Sequence, residues 1–255
     1  MKIVVTFALE SEFARWRRVS RFERVSGASI PTYLMRRREA EVYAVLTGVG
    51  MRSVQNELRD LLSKSADFCI SSGLAGGLRN EHRAGAILVA KAVKTSGTDR
   101  EIKTDDCLVE AAGQCGAVAA DFFFTSNAIV NSPAEKLRLG EIAAAVDLES
   151  FHVLREAEEF GVPAVAVRAL SDAVETNLAI DFNRIIDHRG HMAWLPALHQ
   201  IARAPKRVPE LIRFGFESSR AARHLAHFLD RYVQVLIGTF RIRDASFELR
   251  RAETK

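Results

Sequence analysis

The sequence predicts an α/β fold, one domain built on a central sheet with helices on its faces and followed by a helical extension. Three observations carry that prediction. Short apolar runs that read as buried strands recur through residues 1–170, several lead into segments of helical periodicity, and glycine-rich or acidic turns stand at strand ends. The most complete unit is residues 143–173. Its runs 143–146 and 164–170 end in Asp147-Leu148-Glu149-Ser150 and in Ser171-Asp172. A helix with apolar Phe151, Leu154, Ala157 and Phe160 lies between them, stopped by Gly161 and Pro163. Parallel strands joined by such a crossover open their carboxyl ends on one crevice, so Glu149 and Asp172 are expected to face a common ligand. For either acid alone, a helix cap is the competing reading.

Taken in order, residues 1–7, MKIVVTF, form the first strand, and Ala8-Leu9-Glu10-Ser11-Glu12 opens a helix through Val19. Acids in a first helical turn also suit the helix dipole, which is the plain structural reading of Glu10 and Glu12. Residues 20–41 are polar and basic and predict a hairpin with Arg36, Arg37 and Arg38 on a solvated face. Residues 42–46 form a strand that ends in Thr47-Gly48-Val49-Gly50-Met51, ahead of a helix reaching about Leu62. Glycines at such a turn let backbone N–H groups approach a ligand oxygen. Residues 67–72 are the third strand, with Gly73-Leu74-Ala75-Gly76-Gly77-Leu78 as the turn after it, and residues 85–93 form the next strand. Residues 117–130 read as a strand entering the site, with Phe122, Phe123 and Phe124 assigned to the core. Residues 208–237 have a long helical period with Leu211, Phe214, Leu225, Leu229, Val233 and Leu236 set among arginines.

These segments together resemble the nucleoside phosphorylase and nucleosidase superfamily. Its (V)-(D/E)-M-E-(S/A) and R-x-I-S-D segments match Val146-Asp147-Leu148-Glu149-Ser150 and Arg168-Ala169-Leu170-Ser171-Asp172. Its (T/S)-G-(I/V)-G and G-(S/T)-A-G-G-L turns match the segments from Thr47 and Gly73, and its G-D-(V/I)-(V/L)-V strand matches from Gly85, with Ala86 where the acid is common. The resemblance covers roughly residues 1–175. It implies a nucleoside phosphorylase-like α/β domain with a central mixed sheet flanked by helices over residues 1–178, and a helical, basic extension over 179–255.

The resemblance also implies roles. The family's glutamate holds the ribose 2′ and 3′ hydroxyls, which falls on Glu149, with Leu148 replacing a methionine beside the sugar. Its aspartate protonates or hydrogen-bonds the purine at N7, which falls on Asp172; Ser171 or a backbone group is the candidate to orient it. In the methylthioadenosine and adenosylhomocysteine nucleosidases, an A-(M/L)-E-x-E segment after the first strand ends in the glutamate that activates water. Here that residue is Glu12, with Glu10 as its competitor. The pocket residues implied are Leu74, Ala75 and Gly76 from the glycine turn, and Asn127, Ile129 and Val130 from a looser match to S-G-D-A-F-I. If phosphate is the nucleophile, Gly50 and Arg52 are the candidates to bind it. No cofactor or metal is implied; His188, His191 and His199, and later His224 and His227, have no paired acids or cysteines beside them and read as surface or packing histidines, with a shared metal as the competing reading.

Cleaving a purine from ribose builds positive charge on the sugar while a poor leaving group departs, a need that paired carboxyl groups meet in glycoside hydrolysis. The expected function is therefore a purine nucleosidase acting on an adenosine-type nucleoside with water. The alternatives are phosphorolysis, in particular of adenosylhopane, and a non-catalytic module binding nucleic acid or membrane. The lipid alternative rests on the run Arg203 to Arg213, R-x-P-x-R-x-P-x-L-x-R, which is similar to tails of hopanoid-associated phosphorylase-like proteins.

The 255 residues are 48% hydrophobic and 27% charged, an ordinary balance for a globular chain. No run approaches the roughly 20 apolar residues that cross a bilayer, and no signal core opens the chain, so a cytoplasmic protein is expected. Cys69, Cys107 and Cys115 lack CxxC spacing and read as reduced thiols. The net charge of +4 comes from the end of the chain, where Lys and Arg outnumber acids about twofold after His199. That basic, amphipathic end predicts a helix packed on the domain or across the interface of a homodimer, with peripheral attachment to an anionic membrane as the alternative. Nucleic acid is not an expected partner.

Overall fold

The apolar runs pair into one ten-stranded sheet in the computed structural model, which describes residues 1–51, 55–64, 66–176 and 208–252, side chains included except at 55 and 240–252. The strands are β1 (Lys2–Phe7), β2 (Glu23–Arg24), β3 (Thr32–Arg37), β4 (Ala40–Leu46), β5 (Phe68–Gly77), β6 (Ile87–Thr95), β7 (Glu101–Lys103), β8 (Val118–Thr125), β9 (Ala145–Asp147) and β10 (Ala164–Asp172). The helices are α1 (Glu10–Ser20), α2 (Gln55–Ser63), α3 (Asp106–Gln114), α4 (Pro133–Gly140), α5 (Ser150–Glu159) and α6 (Val208–Ala252).

The sheet is mixed. β1 lies parallel to β4 and β5, β10 is parallel to β5, and β8 is parallel to β6 and β9, whereas β9–β5, β10–β6 and the β3–β4 hairpin are antiparallel. Because β10 pairs with both β5 and β6, the strands β5, β10, β6, β8 and β9 close into a ring, and β1, β4, β3 and β2 extend from it as an open arm. Closure leaves these five strands with neighbours on both sides, which removes the edges that otherwise invite pairing with another chain.

Alternate residues of the central strands feed two cores. On β10, Val165, Val167 and Ala169 join the cluster under α1, α3 and α6, while Ala164, Ala166 and Leu170 join the cluster under α5 and α2. Phe13 and Trp16 of α1 stack with Phe7, Phe22 and Tyr33 at ring-centroid distances of 4.8–6.3 Å.

α6 belongs to that first cluster. Ala221, Leu225, Leu229, Tyr232, Val233 and Leu236 lie along one face and are buried, while Arg220, Arg223 and Arg231 point outward. Tyr232 donates to Leu108 O at 2.8 Å, and Asp230 accepts from Ser20 and Arg37, tying the helix to α3, α1 and β3. The amphipathic face is thus spent on the α/β domain. The expected boundary at 178/179, together with His188, His191 and His199, lies outside the described residues.

Several elements differ from the sequence reading: the strand read over 117–130 ends at Thr125, so Asn127 to Val130 lie beyond it, and β7, α3 and α4 have no counterpart in that reading. The segment read as a turn from Gly73 continues β5 to Gly77, because its backbone pairs with β10 and β9. The helix read from Asp147 begins at Ser150, since Asp147 ends β9 and Glu149 takes the N-cap position.

Candidate active site

Asp172 reaches the site through a break in the β10–β5 ladder. Leu170 pairs with Ala75 and Asp172 with Gly76, so Ser171 is an extra residue on β10, a bulge that re-aims the side chain after it. Ser171 Oγ lies 2.5 Å from Asp172 Oδ1 and 3.2 Å from Ala75 O. The other carboxylate oxygen, Oδ2, is bound by Lys136 of α4, and both side chains are buried.

Glu12 comes from the first turn of α1 yet is buried, and its carboxylate collects backbone donors. Oε2 accepts from Ala8 N and Leu9 N at 3.0 Å each, and Oε1 from Leu74 N at 2.8 Å. Gly73 makes the last contact possible. Its φ of +153° is one a side chain resists, and a Cβ there would meet Glu12 Oε1 at 3.0 Å. Burial raises the Glu12 carboxyl above its usual range, while the Leu74, Leu9 and Ala8 N–H groups and the Arg168 charge pull it back.

Glu149 stands at the start of α5 and accepts from Gly50 N at 2.9 Å. Burial first, and then the neighbouring Asp147 charge, push its carboxyl up to about 8, against the pull of Arg168. Arg168 is fully buried beneath these acids. Its Nε is 2.9 Å from Asp147 Oδ2 in a close ion pair, and its NH2 is 4.0 Å from Glu149 Oε2 and donates to Ser71 Oγ at 3.0 Å. Asp147 is further held by Thr125 Oγ1 at 2.8 Å and by the Ser150 hydroxyl.

A cavity of about 330 Å³ opens over these groups at the carboxyl ends of the strands. Of the residues the sequence put in the site, Glu12, Leu74, Ala75, Gly76, Ile129, Val130, Leu148, Glu149, Ser171 and Asp172 line it. Gly50 stands behind Glu149 as its N–H donor. Asn127 is not among the lining residues, and its amide donates to Ser96 Oγ at 3.1 Å on the surface. Arg52 lies outside the described residues. Glu10 is paired with Arg17 at 2.7 Å instead of lining the cavity, and His224 Nδ1 is 3.0 Å from Gly85 O.

Sequence reasoning missed Lys136, the hub role of Arg168, and the wall contributed by Phe214, Gly215 and Ser218 of α6. Arg168 had a signal, since it opens the matched segment before Asp172. Lys136 and the α6 wall had none, because each meets the site only through packing across the fold.

Buried carboxylates converging on a cavity at the carboxyl ends of a mixed, helix-flanked sheet define an α/β enzyme class. A sequence profile of the Phosphorylase superfamily matches residues 2–191, and the chain belongs to that superfamily. Among curated proteins it is similar to the 5′-methylthioadenosine/S-adenosylhomocysteine nucleosidase of Geobacillus thermodenitrificans, 26% identical in an alignment 214 residues long that covers 73% of this chain and 90% of that protein. The protein of the same name from Shewanella halifaxensis is 25% identical in an alignment 176 residues long that covers 59% of this chain and 76% of its own. Among solved structures, the Helicobacter pylori 5′-methylthioadenosine/S-adenosyl homocysteine nucleosidase superposes with a TM-score of 0.70 at 16% identity, covering 92% of this chain and 98% of that one. A futalosine hydrolase mutant of the same organism superposes at 0.67 and 16%, covering 92% and 99%. At these identities the superpositions establish the fold.

Proposed function

We propose that this chain is a purine nucleosidase, a hydrolase that cleaves the N-ribosidic bond of an adenosine-type nucleoside and releases the free base. The observation that carries this reading is the convergence of Glu12, Glu149 and Asp172, from segments far apart in the chain, on one cavity of about 330 Å³, a size suited to a small ligand. The nucleosidase names of its relatives agree with it.

In this reading Glu149 accepts hydrogen bonds from the ribose 2′ and 3′ hydroxyls, replacing the water that a buried carboxylate lacks. Glu12 takes a proton from the attacking water. Its position suits the task, since three backbone donors fix the carboxylate and burial lifts its affinity for a proton toward the working pH. Asp172 meets the base and supports its departure by proton donation. Apolar Ala8, Leu9, Val49, Ile129 and Val130 exclude solvent from the rest of the cavity.

Hydrolysis is favoured over phosphorolysis by the state of the cations. Among the described residues the buried cations are Arg168 and Lys136, and both are engaged by carboxylates. Gly50 likewise gives its N–H to Glu149. The second reading, phosphorolysis of a lipid-borne adenosine, draws on the start of α6, where Ile212 and Phe216 are 55% and 73% exposed beside the cavity wall. The same residues offer a contact for the second copy of the expected cytoplasmic homodimer. Among the described residues no helix is long and apolar enough to cross a membrane.

The test is chromatographic detection of free base from adenosine, methylthioadenosine, adenosylhomocysteine, inosine and an adenosylated lipid analogue, with and without phosphate. Base released without phosphate establishes hydrolysis. Release that requires phosphate moves the assignment to phosphorolysis, and no release from any substrate overturns the catalytic reading.

A further inference from the structure

Lys136 is a buried charge to which the mechanism above gives no task. It sits on α4 at 1% exposure, and its Nζ faces Asp172 Oδ2, Ala173 O at 3.2 Å and Thr176 O at 3.1 Å. Three acceptors around one nitrogen match the three N–H bonds of an ammonium. α4 is held at both ends, which fixes Nζ in place. Ser132 Oγ caps its start by accepting from Glu135 N at 3.2 Å. At its end Gly140 lies so close to the residue after β5 that a Cβ would meet Leu78 O at 2.3 Å, and Gly140 O accepts from Arg79 Nε at 3.0 Å.

Asp172 is therefore bracketed by an ammonium on Oδ2 and by the Ser171 hydroxyl on Oδ1. Both carboxylate oxygens of Asp172 thus face donors, and a proton for a leaving purine has to come through one of them. Of these two donors the ammonium is by far the stronger acid, so Lys136 is the source of a transferable proton. Resting on the nucleosidase reading, we propose that Lys136 is the positioning residue that fixes Asp172 and supplies the proton Asp172 passes to the departing base.

The step balances. As the bond from C1′ to the purine breaks, its electron pair stays on the base. One proton moves from Nζ to the Asp172 carboxylate and from that carboxyl group to the ring, leaving Lys136 a neutral amine. Water gives its hydroxide to C1′ and its proton to Glu12. Return of that proton through solvent to Lys136 resets the site, so each turnover consumes one water and no net proton.

The experiment measures kcat and KM of Lys136→Met and Lys136→Ala on the nucleoside the wild type cleaves, with and without added methylammonium or tetramethylammonium. The expected result for Lys136→Met is a kcat lower by roughly 100-fold or more with KM within about threefold of wild type. Lys136→Ala should regain kcat with methylammonium, which carries transferable protons, and not with tetramethylammonium, which carries only charge. A Lys136→Met protein that melts like wild type and keeps kcat within about threefold overturns the proposal. So does a loss that methylammonium leaves unrepaired, the behaviour of a lysine needed for structure alone. Absence of base release by the wild type is visible before any variant is made; it sinks the nucleosidase reading and this inference with it, whereas an active wild type with an unaffected variant sinks this inference only.

Discussion

At the scale of single residues, Glu149 shows how surroundings set chemistry. Its carboxyl is raised from the usual 4.5 to about 8, chiefly by burial. A folded-state value above the unfolded one means that the native protein binds the proton more tightly, so the stability this provides is present below about pH 4.5 and is lost as pH rises through 8. Glu149→Gln has no such titration. The variant should gain in melting temperature relative to wild type between about pH 5 and about pH 9, by roughly 2–4 °C for each kcal/mol recovered. Paired thermal melts across that range check this; a constant offset would refute it. Asp172→Asn tests the other end of the cavity. On the proposed nucleosidase reading it should lower kcat by roughly 100- to 10,000-fold with little change in KM, because support of a leaving base would be realised in the transition state. Steady-state kinetics on the cleaved nucleoside decide, and near-normal turnover would remove Asp172 from its role.

At the scale of elements, α6 was legible as a helix and ambiguous as to purpose. Leucines, phenylalanines and arginines on one amphipathic period serve a membrane surface or a protein core equally well, and the choice depends on whether a complementary face exists elsewhere in the chain. Here α1, α3 and β10 supply it. Leu229 is fully buried in that contact, so Leu229→Ala should destabilise the protein by about 2–5 kcal/mol. Denaturant unfolding measures this, and a loss below about 0.5 kcal/mol would mean the helix is a loosely attached arm. Most strands were read within a few residues of their ends; the short β7 was not read, β8 was read five residues too long, and the miss at the end of β5 has a clear cause. Gly73–Gly77 carries turn chemistry in its composition, but pairing with β10 and β9 on its two sides overrides local preference. Glu12, Glu149 and Asp172 were legible because each stands in a short segment at a strand end. Lys136 was not, because its partner lies 36 positions away and a lysine on a short helix usually faces water.

At the scale of the whole molecule, the α/β class was readable from the order of apolar runs and turns and the mixed sheet from the family resemblance, whereas the ring was not. Closure depends on β10 filling the gap between β5 and β6, a pairing that no local pattern records. The third layer is just as collective. A chain ending at residue 207 loses the buried face of α6 and leaves Val165, Val167 and Ala169 of β10 uncovered on that side. Such a fragment should aggregate or melt without cooperativity, as followed by gel filtration and circular dichroism. A monodisperse fragment with a sharp thermal transition would show that the helix is an accessory.

The ring has a consequence for how the protein is made. β10 is the last strand among the described residues, so a chain still growing on the ribosome holds β5 and β6 with unpaired edges until residue 172 has emerged. The same strand brings Arg168 and Asp172, so the event that seals those edges also completes the acid cluster. Translation that stalls before this point therefore leaves product with adhesive edges and an incomplete acid cluster.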